Sequence, residues 1–107
     1  MTDASAKSAE TPLERESWVV VSRDQVSADL SGETIILGMR DGVYYGLDGV
    51  GSLIWAAAAA PTTLGALHQE IVSRYEVDVE VAWVDLVRLV DTLLEAGLLE
   101  RAIAPSS

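Results

Sequence analysis

VSADLSGETIILGMRDGVYYGLDGVGSLIW, residues 26–55, decides the fold. Three short apolar stretches are cut by two turn signals and run straight into a helix. Val26 to Leu30 alternates as a strand, with Val26, Ala28 and Leu30 on one face and Ser27 and Asp29 on the other. Ser31-Gly32 separates it from a second strand, Glu33 to Met39. Arg40-Asp41-Gly42 separates the second from a third strand, Val43 to Leu47. Asp-Gly between apolar runs is a hairpin signal, because glycine supplies the positive φ that tight turns need. Three strands this short leave an open sheet edge, where another chain can add a strand.

Downstream, Asp48 is expected to cap a first helix over about 49–59, which Pro61 stops. Thr62 or Thr63 caps a second helix near 64–75, with Leu64, Leu67, Ile71 and Tyr75 at helical spacing. Asp78 caps a third near 79–96, and Gly97 suits the position just past its end. Leu98-Leu99-Glu100 forms a terminal strand or turn. Upstream, Trp18 to Val21 is an extra strand or a segment covering the sheet. Residues 1–17 and 102–107 are small, polar or charged and are expected to be disordered tails around a single domain, 18–101. The predicted fold class is α+β: a three-stranded antiparallel sheet followed by three helices, in a winged helix-turn-helix-like arrangement.

The third helix carries a wide apolar arc. Ala82, Leu86, Leu89 and Leu93 form a core stripe, and Val90, Trp83, Leu94 and Val87 extend it to one side. A single core contact needs a stripe of only about 100°. The surplus is covered either by a second internal surface or by a partner. Trp83 is assigned to the partner side, since exposed aromatic residues anchor interfaces. Glu80, Arg88, Asp91 and Glu95 lie on the opposite face.

Composition removes several function classes. Seven basic residues stand against seventeen acidic ones, for a net charge of −10. Phosphate backbones require the opposite sign, and the third helix offers Arg88 alone against Glu80, Asp85, Asp91 and Glu95. There is no Cys, so disulfides, thiolate nucleophiles and Cys-ligated zinc are excluded. The longest apolar run, Val50 to Pro61, is too short to span a bilayer, and the N-terminus has no secretory apolar segment. The single His, His68, is expected on the helix surface without metal-ligating neighbours. Gly42, Gly46, Gly49 and Gly51 do not spell a phosphate loop, and Ser52 lacks a nucleophile-elbow context. No acid, base and nucleophile set points to an enzyme, and no metal or cofactor is implied.

Taken together, GETIILGMRDGVYYGLDGVGSLIW, PTTLGALHQEIVSRYEVD and AWVDLVRLVDTLLEAGLLE resemble the PqqD-like proteins, the recognition elements of ribosomally made, post-translationally modified peptide pathways. The markers are Tyr44-Tyr45-Gly46-Leu47, Ile54-Trp55, Arg74-Tyr75, Asp85 and Gly97-Leu98-Leu99, in that order and spacing over roughly 26–100. Asp48, where the family often has Asn, and the Ala-rich stretch before Pro61 depart from the pattern. The resemblance implies a non-catalytic protein, without cofactor or metal, that takes up a precursor's leader peptide as a strand added to the third strand, against the third helix. The peptide-contacting residues it implies are Val43, Tyr44, Tyr45, Gly46 and Leu47 on the strand and Trp83, Val84, Val87, Arg88 and Asp91 on the helix. A free-standing chain of this length looks most like the leader-binding protein of lasso-peptide biosynthesis. Its partners would be a leader peptidase and an ATP-dependent, asparagine-synthetase-like cyclase in the cytoplasm, with neither nucleic acid nor membrane involved. A pyrroloquinoline-quinone-pathway chaperone is the alternative within the family, and a winged-helix regulatory or DNA-binding protein is the alternative outside it.

Overall fold

A computed structural model of the chain describes residues 12–104. Its elements are β1 (Trp18–Val21), β2 (Gln25–Leu30), β3 (Glu33–Gly38), β4 (Tyr44–Asp48), α1 (Val50–Ala57), β5 (Thr62–Thr63), α2 (Leu64–Arg74), α3 (Val79–Glu95) and β6 (Leu99–Ala102). The strand-strand-strand-helix block of 26–55 is present, with β4 as its third strand. The strands form two antiparallel three-stranded sheets, ordered β2-β3-β4 and β5-β1-β6. The expected single sheet is therefore accompanied by a second. Trp18 to Val21 forms its centre and does not cover the first sheet. β6 pairs with β1 over Trp18↔Ala102 to Val21↔Leu99, so Ala102 belongs to the strand and the C-terminal tail starts later than expected.

The β2–β3 turn follows from two residues. Ser31 (φ 53°) and Gly32 (φ 85°) both take the left-handed conformation, as a two-residue hairpin requires. The first helix starts differently from the expectation. Asp48 is still the last residue of β4, opposite Glu33, and Gly49 at φ 53° occupies the cap position with no side-chain cap. The other caps form as read. Thr63 Oγ1 accepts from the Ala66 amide at 3.1 Å, and Asp78 Oδ1 accepts from Glu80 and Val81 at 2.9 and 3.1 Å. Gly97 (φ 77°) ends α3, and a Cβ there would meet the Arg40 guanidinium at 2.8 Å.

Residues 12–17 are not a free tail. The Arg15 and Ser17 carbonyls accept from Gly65 and Leu64 at 2.9 and 3.1 Å. With Thr63 these carbonyls satisfy three of the amides that a helix N-terminus leaves unpaired. Residues 1–11 and 105–107, the rest of the expected tails, lie outside the described residues. One core joins both sheets and all three helices, with Val19, Ile36, Ile54, Leu67, Leu86 and Leu99 all at 3 % exposure or less.

Candidate functional site

Among the described residues, the β2-β3-β4 sheet ends in two strands that each have a neighbour on one side only. The β4 edge can be resolved residue by residue. The Gly38 amide donates to the Val43 carbonyl at 3.0 Å, so that pair is hydrogen-bonded. Antiparallel ladders alternate bonded and non-bonded pairs, so Ile36↔Tyr45 and Thr34↔Leu47 are bonded as well. The N–H and C=O groups of Tyr44, Gly46 and Asp48 then point away from β3, along the open edge. They are the three donor–acceptor sites a strand added here would use. Val43 lies just before β4, and its amide is already held by Asp41 Oδ1 at 3.1 Å.

Side chains divide along the same alternation. Tyr45 and Leu47 are half-buried and pack against the core, while Tyr44, Gly46 and Asp48 lie on the outer face. Gly46 is tolerated as a strand residue, and its missing side chain leaves the middle of the outer face of β4 uncovered. Among the described residues other than its chain neighbours, only the Ile35 Cδ1 atom, at 3.9 Å, lies within 4 Å of a Cβ at that point.

On α3, Ala82, Leu86, Val90 and Leu93 are buried, which is the stripe the spacing indicates, with Val90 in the place expected of Leu89. Part of the surplus arc is covered internally. Trp83 is half-buried. Its ring meets His68 edge-on, with centroids 5.4 Å apart, and carries the Arg15 guanidinium at 5.2 Å from its centroid. Val87 is also half-buried against the core, whereas Val84, Arg88 and Asp91 are exposed. Arg88 lies 3.9 Å from Asp85 in a solvent-facing ion pair of the kind that contributes little to stability. The structure thus assigns Trp83 an internal role that the helical spacing alone does not reveal.

His68 is not a surface residue. It is 5 % exposed, with Nε2 at 2.9 Å from the Val79 carbonyl and Nδ1 at 3.2 Å from an Arg15 guanidinium nitrogen. A carbonyl can only accept and a guanidinium can only donate, so Nε2 carries the proton and Nδ1 accepts. The imidazole is a neutral bridge between α2, α3 and the N-terminal segment. The α2 pattern could not reveal this, because the cover comes from residues 53 positions earlier.

Elsewhere an open cleft of about 900 Å³ lies against β1, β2 and α1, lined by Arg23, Gln25, Trp55 and Glu100 among others. It belongs to the opposite side of the sheet from the β4 edge and gathers no catalytic constellation. Among the described residues no cluster of His, Asp and Glu could hold a metal, and no helix is long and apolar enough to cross a membrane.

An α+β domain with a winged helix-turn-helix-like order and an open β4 edge is the class of protein that these features define. A family profile described as Coenzyme PQQ synthesis protein D (PqqD) matches residues 33–99, from the start of β3 into β6. The chain belongs to the PqqD family. Among solved structures it is similar to one described as "TbiB1 in Complex with the TbiA(beta) Leader Peptide". That match has a TM-score of 0.71 and 30 % identity and covers 82 % of this chain and 99 % of the other. A second, "Lasso peptide synthetase B1 complexed with the leader peptide", shares the fold at a TM-score of 0.68 and 24 % identity, covering 77 % and 96 %. No curated protein sequence gives a significant match.

Proposed function

We propose that this protein binds the leader segment of a ribosomally synthesised precursor peptide as a strand added to β4 and delivers it to separate processing enzymes of a lasso-peptide pathway. The observation that carries the reading is the open backbone of Tyr44, Gly46 and Asp48 in a chain 30 % identical, over most of its length, to a protein solved with a leader peptide. Backbone pairing supplies affinity in this mode, and pockets for alternate side chains supply specificity. Peptide residues opposite Tyr45 and Leu47 turn toward the core side. Val84, Val87, Arg88, Asp91 and the open part of Trp83 are the α3 groups proposed to meet them.

The protein acts without catalysis of its own, in the cytoplasm. It raises the local concentration of precursor at a leader peptidase and an ATP-dependent, asparagine-synthetase-like cyclase. The family's other setting, a pyrroloquinoline-quinone pathway, shares the fold and differs in the precursor bound. The rival class is a DNA-binding winged helix, which the net charge of −10 opposes.

The test is a titration of labelled leader peptide and of duplex DNA, each at low and physiological salt. The expected result is saturable leader binding that weakens by about tenfold at most with salt, because apolar and backbone contacts dominate. Tight DNA binding with the steep salt dependence of phosphate contacts would overturn the reading.

A further inference from the structure

Residues 12–17 are fastened to the helices at several points. Leu13 packs against the core. The Glu14 amide donates to Ser17 Oγ at 2.9 Å and the Ser17 amide to the Glu14 carbonyl at 3.0 Å, which closes a turn. The Arg15 and Ser17 carbonyls accept from the first two amides of α2. Gly65 permits this approach. A Cβ there would meet the Arg15 carbonyl oxygen at 3.2 Å and the Arg15 Cβ at 3.5 Å, and glycine otherwise weakens a helix relative to alanine. The Arg15 backbone is thus fixed while its side chain lies over the Trp83 ring and bonds His68 Nδ1. His68 in turn meets the same ring edge-on and donates to the Val79 carbonyl at the start of α3. The ion pairs among the described residues are Glu70–Arg74 and Asp85–Arg88, so Arg15 is held by a neutral imidazole and an aromatic face and not by a carboxylate.

We propose that Arg15 is a positioning residue of the leader site: it fixes the Trp83 indole, directly and through His68, in the orientation that the bound leader meets. The proposal rests on the leader-binding reading and deepens it. A half-buried Trp on a helix has more than one rotamer open to it, and immobilising such a side chain on binding costs affinity. With the guanidinium stacked on it and the imidazole against it, the ring is set before the leader arrives. A planar guanidinium suits this task, since it stacks on an aromatic face and hydrogen-bonds in its own plane at the same time. The family profile begins at residue 33, so the clamp reaches α3 from outside the matched region. The recognition surface then includes a segment that the shared strand and helix framework does not supply.

The test is calorimetry of leader peptide binding to the full chain, at a temperature where every variant is folded. The Trp83 indole N–H signal is followed alongside by nuclear magnetic resonance. In the parent, leader should shift that signal. Arg15→Ala should move or broaden it before any leader is added, and should weaken leader binding about fivefold. Because the effect passes through the ring, Arg15→Ala combined with Trp83→Ala should bind no more weakly than Trp83→Ala alone. Gly65→Ala displaces the segment without touching the guanidinium and should weaken binding by about threefold through the same ring. If Arg15→Ala does not fold, Arg15→Gln takes its place in the cycle. A folded Arg15 variant with parental affinity, whatever its stability, makes the segment purely structural and overturns the proposal. Additive losses in the double variant would mean that Arg15 touches the leader itself, and would overturn it equally. An indole signal unmoved by bound leader takes Trp83 out of the site and overturns the proposal, while strand addition at β4 stands. Failure of the parent to bind leader overturns both.

Discussion

The two sheets have the same number of strands and opposite fates. In β5-β1-β6, the central β1 gathers segments from across the chain, pairing with Thr62–Thr63 on one side and Leu99–Ala102 on the other. Val19 and Leu99 are buried there, and Ser22 and Val21 are held by the Leu98 and Ala58 carbonyls at 2.9 Å. In β2-β3-β4 every pairing is local, formed by two successive hairpins, and the β4 backbone is left with its outward groups open. The first sheet closes the domain. The second presents a surface. The lesson is that a sheet assembled from distant segments is a scaffold, whereas a local meander can leave an edge free for a partner.

The largest effect should come from the closing sheet. Leu99→Ala, at a position 2 % exposed, is expected to cost about 2–5 kcal/mol in chemical denaturation. Val26→Ala on the open sheet should stay within about 0.5 kcal/mol. Comparable losses at the two sites would break the division between scaffold and surface.

Trp83→Ala lies between the two regions. Because its ring packs on His68 and Arg15, truncation should lower stability by about 2 kcal/mol, below the cost for a fully buried Trp. The peptide reading adds a loss of leader affinity of similar size. Lost stability with unchanged affinity would remove Trp83 from the peptide site and leave it purely structural.

Gly46→Pro tests the edge itself. The Gly46 amide points outward, and proline is tolerated on an edge where its missing N–H faces solvent. Leader affinity should fall about tenfold, from one lost hydrogen bond plus steric obstruction, with a much smaller change in melting temperature. Unaltered affinity by calorimetry would exclude strand addition at β4.

The smallest effect should be that of Asp78→Ala. Loss of two capping hydrogen bonds at the start of α3 should cost about 1 kcal/mol without changing leader affinity corrected for stability. A large affinity change would mean that the α3 N-terminus takes part in binding.

Much of the fold was legible in the sequence because its signals are local. Ser31-Gly32 dictates a turn through backbone conformation, Thr63 and Asp78 cap through hydrogen bonds two or three residues long, and Gly97 is required by its positive φ. What was not legible depends on distant partners. The four residues of β1 do not encode that Thr62–Thr63 and Leu99–Ala102 will flank them. His68 and Trp83 read as surface because Arg15, which covers both, lies far away in a segment of tail-like composition. β2 shows a third limit. Alternation put Val26, Ala28 and Leu30 on one face correctly, but it could not say that this face is the outer one. The core side takes Ser27, whose hydroxyl accepts from the Trp55 indole at 3.3 Å. Asp48 misled for a simpler reason: β4 runs through it, opposite Glu33, and the helix begins one residue later than expected, so the cap position falls to Gly49.

The claim that matters most is that leader peptide joins the open edge of β4, and amide hydrogen exchange on the full chain tests it residue by residue. Without peptide, the amides of Gly46 and Asp48 should exchange fast, while Tyr45 and Leu47, already bonded to β3, should be slower. Saturating leader should slow Tyr44, Gly46 and Asp48 selectively and leave the outward amides of β2 (Gln25, Ser27 and Asp29) unchanged. Protection that appears along β2 instead, or nowhere on either edge despite measured binding, would contradict the account.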